Sequence, residues 1–98
     1  MAGDPRYARG AGAGTLGPVP TFLLSHHHPP EECPYAFAAW RGFDSPLRHR
    51  LALSSCLHGG HALWWVVDAE TASAALEQLP EYLSERSEVT CVRSVPIP

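Results

Sequence analysis

His61-Ala62-Leu63-Trp64-Trp65-Val66-Val67 is the stretch on which the fold turns. Aromatic and β-branched residues dominate it, the composition that suits a pleated, packed strand. Alternation sends Leu63, Trp65 and Val67 to one face and Trp64 and Val66 to the other. Both faces carry large apolar groups, so the strand belongs inside a sheet and both sides of it call for cover.

The neighbouring segments read outward from there. On the N-terminal side, Gly59-Gly60 is expected to supply the positive φ values of a tight turn. That makes Leu47–Ser55, with Leu51 and Leu53 on a shared face, the preceding strand of a hairpin. On the C-terminal side, Asp68-Ala69-Glu70-Thr71 offers helix caps. An apolar stripe follows at Ala72, Ala75, Leu76, Leu79 and Leu83, which Pro80 divides into two short segments. Val89–Val95 reads as the last strand, with Cys91 packed in it as a small hydrophobe.

Earlier in the chain, Thr21–His27 is apolar on both alternating faces and is stopped by Pro29-Pro30, the pattern of a strand buried on two sides. Pro30 suits the first position of a helix, and Glu31 and Glu32 then face the positive end of its dipole. Cys33, Ala36, Phe37, Ala39, Trp40 and Phe43 form the stripe of a helix packed by one face and closed by Gly42. Asp44-Ser45-Pro46 is a turn ordered by a side-chain to backbone bond. Met1–Pro20, with Gly-Ala-Gly-Ala-Gly and Gly-Pro-Val-Pro, reads as a flexible leader, and residues 21–98 as one domain.

Composition narrows the partners. The formal charge of −3 comes from seven arginines against ten carboxylates, with no basic run to neutralise phosphates, so nucleic acid is not expected. The apolar runs Phe22–Leu24 and Ala62–Val67 fall far short of the roughly 20 residues that span a bilayer, so no membrane partner is expected. Without a signal-peptide core the chain reads as soluble and cytoplasmic, and three cysteines in such a protein are expected to be reduced thiols.

The order strand, helix, strand, strand, helix, strand predicts an α+β fold, ferredoxin-like βαββαβ. It implies a four-stranded antiparallel sheet in the order 4-1-3-2 with both helices on one face. Trp64 and Val66 would lie on the bare face, a patch that a homodimer stacked sheet to sheet would cover. With this order, the Leu63–Val67 strand followed by Asp68-Ala69-Glu70, and the closing Val89–Val95 strand, residues 21–98 resemble the dimeric α/β-barrel superfamily. That superfamily includes antibiotic-biosynthesis monooxygenases, muconolactone isomerase and uncharacterised bacterial proteins. The resemblance is one of architecture and implies no particular chemistry, because the superfamily hosts several.

Five of the six histidines and two of the three cysteines lie in Ser25–Cys33 and Cys56–His61. The expected topology brings the end of the first strand, the start of the first helix and the strand 2–3 hairpin to one sheet edge. His26 and His28 share a strand face there, and Cys56, His58 and His61 reach the same rim, with Glu32 and Cys33 behind them. Such N and S donors suit zinc, nickel or copper, although the Cys-x-His-x-x-His spacing matches no finger or ribbon template. A metal-free alternative uses His26, His28 or His61 as a general base beside an apolar pocket walled by Trp40, Trp64 and Trp65, which takes a small aromatic or polyketide-like substrate. A third reading is a ligand-free accessory or interaction protein. Cys33 at a helix start is a further candidate nucleophile. Arg48-His49-Arg50 resembles a small anion site but falls at the opposite edge, where a solvated turn is the simpler expectation.

Overall fold

A computed structural model describes residues 19–98; apart from Val19 and Pro20, the expected leader lies outside the described residues. The chain runs β1 (Thr21–His27), α1 (Cys33–Ala38), β2 (Leu53–Ser54), β3 (Ala62–Asp68), α2 (Ala72–Leu76), α3 (Glu81–Ser84) and β4 (Ser87–Val92). Two 3-10 turns, Pro30–Glu32 and Cys56–His58, lead into α1 and out of β2. The class is α+β, built on a four-stranded sheet in the order β2-β3-β1-β4 with every pairing antiparallel. Among the described residues no helix is long and apolar enough to cross a membrane.

β1 and β3 form the centre. Their register pairs Phe22 with Val67, Leu24 with Trp65 and His26 with Leu63. Residues opposite one another share a face, so these six side chains make one inner surface. The helices cover it with Ala36, Ala75 and Leu83, the turn between α2 and α3 adds Leu79, and Leu24 and Leu83 are fully buried. β1 is therefore buried on one face and only half-buried on the other, where Leu23 and Ser25 lie, rather than sealed on both.

The helical elements stop where the sequence stops them. Thr71 caps α2 by accepting a hydrogen bond from Ala74 N at 3.0 Å. Pro80 has no amide hydrogen to continue the helix and separates α2 from α3. α1 ends at Ala38, short of the expected Gly42, and turns carry the chain through Trp40 to Phe43. The side-chain to backbone bonds expected of Asp44-Ser45-Pro46 come from Ser45: its Oγ donates to Gln78 O at 2.6 Å and accepts from Leu47 N at 3.1 Å.

Three expectations along the strands need correction. The strand expected over Leu47–Ser55 is reduced to Leu53–Ser54, and Leu51 and Leu53 are both exposed. Residues 46–50 coil into turns in which His49 holds φ 68, so they do not pair with β3. The β2–β3 connection is a wider loop than a two-glycine turn. Gly59 is left-handed at φ 86, but the second positive φ falls on His61 at 50. Gly60 serves close approach instead, since a Cβ there would collide with the Ser55 side chain. β4 begins at Ser87 and ends at Val92, and Cys91 is exposed rather than packed.

Candidate metal centre

β1 delivers the first donor. The inward alternation Phe22, Leu24, His26 continues one step past the strand to His28, which is buried like His26. A backbone bond from His28 N to His61 O at 3.1 Å prolongs the ladder and holds the two histidines side by side. Their rings lie 5.5 Å apart, centroid to centroid. Pro29 is extended, and the 3-10 turn Pro30–Glu32 then folds the chain back so that Cys33 opens α1 over the same spot.

The loop after β2 delivers the other half. Ser54 Oγ accepts from Cys56 N, and Ser55 Oγ accepts from Ala62 N, each at 3.1 Å. Gly60 N donates back to Ser55 O at 2.9 Å. These bonds pin Cys56 at the start of its turn and His61 at the entry to β3. His61 carries a left-handed backbone there, a conformation that costs a side-chain-bearing residue about 1–3 kcal/mol.

The result is one cluster. The donor atoms of His28, Cys33, Cys56 and His61 all lie within 4.8 Å of one another, so the group can hold a metal ion. Cys56 Sγ and His28 Nε2 are 3.6 Å apart. In a tetrahedral zinc site with Zn–S about 2.3 Å and Zn–N about 2.0–2.1 Å, an S···N edge spans about 3.6 Å and an S···S edge about 3.8 Å. One edge already has the right length, and the widest gap exceeds a coordination edge by only about 1 Å. Two thiolates would balance a divalent cation, leaving a neutral centre that a half-buried site tolerates.

The surroundings tune these donors. His28 is lowered by burial and by the neighbouring His61, against a smaller opposing pull from Glu32. Burial and the hydrogen bond with Cys56 push the Cys33 thiol up. His26 Nε2 and His28 Nδ1 are 3.0 Å apart, which leaves His28 Nε2 facing Cys56. His26 itself is lowered by burial first and by His28 second. The Leu83 and Arg86 carbonyls pull the other way, yet neither meets its Nδ1 in regular geometry. His61 Nδ1 is likewise buried without a hydrogen-bond partner among the described residues. On the outer flank Tyr82 donates its hydroxyl to Glu32 Oε1, and Arg86 stacks 4.1 Å from the Tyr82 ring centre.

Of the donors expected from sequence, the fold thus gathers His28, Cys56 and His61 together with Cys33, which the sequence placed behind them; Glu32, its companion there, is not in the cluster. His26 stands behind His28 as a hydrogen-bond partner, and His58 is exposed at the end of its turn and outside the cluster. The signal that points to Cys33 is the mirrored spacing His28-x4-Cys33 and Cys56-x4-His61. Among the expected pocket residues, Trp40 and Trp65 line one cavity of about 420 Å³, while Trp64 lines another, of about 240 Å³, that includes Leu23 and Val66. The lining of the larger cavity includes none of His26, His28 and His61. The three cysteines are free thiols.

Compared with protein-family models, with curated proteins and with solved structures, the chain finds no match.

Proposed function

We propose that this chain is a small zinc-binding domain whose ion is held by His28, Cys33, Cys56 and His61. The observation that carries this reading is the convergence of four N and S donors from three separate segments within 4.8 Å. Two sulfurs and two nitrogens favour zinc, which takes such donors tetrahedrally, over nickel or copper, which prefer tetragonal N and O arrangements in their divalent states. Four protein donors close the coordination sphere, the character of a structural site, whereas catalytic zinc keeps a position open for water. The ion would tie the end of β1, the start of α1 and the β2–β3 loop together at one edge of the sheet.

The test is elemental analysis of tag-free protein purified without chelator, together with cobalt substitution. About one zinc per chain, and the visible bands of tetrahedral cobalt with thiolate charge transfer, are expected. Octahedral cobalt spectra, or no metal retained beyond roughly millimolar affinity, would overturn the assignment.

The same reading extends to architecture. The strand order and the helices on one face support a ferredoxin-like domain, and the opposite sheet face carries Leu23, Leu53, Trp64 and Val66, with Leu53 74% and Val66 42% exposed. A sheet-to-sheet homodimer would cover that face. Sedimentation as a monomer at micromolar concentration would refute it.

A further inference from the structure

The larger cavity lies on the inner side of the sheet. Phe37 of α1, Leu63 and Trp65 of β3, and Trp40 and Leu47 from the connecting turns wall it. The Trp40 and Trp65 rings stand 6.0 Å apart, centroid to centroid, an aromatic wall for a flat apolar group. Residues 46–50 form turns instead of pairing with β3, and Leu47 to Arg50 border the space on that side. At about 420 Å³ it falls at the small end of the range for ligand sites, about 300–1,000 Å³.

Its polar lining has one sign. Arg41, Arg48 and Arg50 all contribute to it, His49 sits between the last two, and no aspartate or glutamate takes part. Among the described residues none of these three guanidinium groups is paired with a carboxylate; the ion pairs there belong to Arg86. Three of the seven arginines therefore gather around one apolar hollow in a chain of net charge −3. Phe37, 52% exposed, adds apolar surface at the same place.

We infer that this cavity binds a small apolar carboxylate, an aromatic or short alkyl acid whose tail lies against Trp40 and Trp65 and whose carboxylate meets Arg48 and Arg50. Guanidinium groups suit this role because their planar donors match a carboxylate two at a time. A tail laid against Trp40, Trp65 and Phe37 removes apolar surface from water while the guanidinium groups meet the carboxylate at the mouth. The inference is independent of the metal, since no cavity residue belongs to the His28, Cys33, Cys56, His61 set.

The experiment is calorimetric titration of the full chain with 3-phenylpropionate and with its neutral amide at low ionic strength. Saturable binding of the acid with Kd below about 1 mM is expected, with the amide at least about tenfold weaker. R48Q/R50Q should weaken the acid about tenfold or more and abolish the preference over the amide, whereas R93Q, outside the cavity, should change neither. A salt series on the unaltered chain needs no variant to fold: the acid should weaken several-fold between about 0.05 and 0.5 M NaCl while the amide does not. Equal affinities for acid and amide, no saturation by about 10 mM, or a double variant that keeps full affinity would each overturn the proposal.

Discussion

Cys56→Ser is the perturbation that isolates the metal from the fold. The change is nearly isosteric, and Cys56 is only half-buried in a loop held by the Ser54 and Ser55 hydroxyls, so the metal-free domain should melt within a few degrees of wild type. The effect on the loaded protein is large. Zinc at 100 times its Kd stabilises the native state by about 2.7 kcal/mol. For a domain the size of residues 19–98, each kcal/mol moves Tm by about 4–8 °C, so zinc should raise the wild-type Tm by about 11–22 °C over the chelated protein. Loss of one thiolate should cost at least the upper end of the roughly 10–100-fold measured for outer-shell partners. At the same zinc concentration a 100-fold loss leaves about 0.4 kcal/mol, a shift of only about 2–3 °C. Paired thermal melts by circular dichroism, with chelator and with zinc, read the difference directly. His58→Ala, outside the cluster, should retain the full increment. A Cys56→Ser protein that keeps the wild-type zinc increment would refute the four-donor site.

Other consequences follow from individual residues. Leu24→Ala removes a fully buried side chain between Leu63, Trp65 and Leu83 and should cost about 2–5 kcal/mol in urea unfolding; a loss under 1 kcal/mol would mean that this core is not packed as described. His26 and His28 are held below the ordinary imidazole value of 6.5, so as the pH falls the unfolded chain takes up protons first; the metal-free domain should lose stability from about pH 6.5 downward and level off once the folded values are passed. A stability that stays flat across that window in chelator would contradict the buried neutral pair. Tyr82 is pushed up to about 12 by burial and its hydrogen bond to Glu32, so its phenolate band should emerge well above pH 10, with stability intact below pH 10 and declining toward 12. Tyr82→Phe should cost about 0.5–1.5 kcal/mol for the lost hydrogen bond without changing zinc content; altered metal content would show that Tyr82 and Glu32 take part in holding the ion.

Much of this architecture is written in local pattern. The alternation in Leu63–Val67 and Phe22–His26 specifies strands whose inner residues meet in the core, because side-chain direction in a strand has a period of two. Thr71 and Pro80 mark helix boundaries through their own chemistry, a hydroxyl that accepts from a free amide and a nitrogen without a hydrogen. Histidine and cysteine cluster in two short stretches of the sequence, and the meeting of those stretches at one edge follows from strand order.

Local pattern therefore dictates the α+β class and the edge where the donors gather. Which donors converge was decided by tertiary structure. Strand alternation faces His26 and His28 the same way, but the backbone bond from His28 to His61 O and the fold-back at Pro30–Glu32 put His28 beside Cys33 and leave His26 behind it. Likewise nothing local in Leu47–Ser55 reveals that only Leu53 and Ser54 pair with β3. A strand forms only where a neighbour is in register to bond it; residues 46–50 form turns instead, and Leu47 to Ala52 line the cavity beside Trp40 and Trp65.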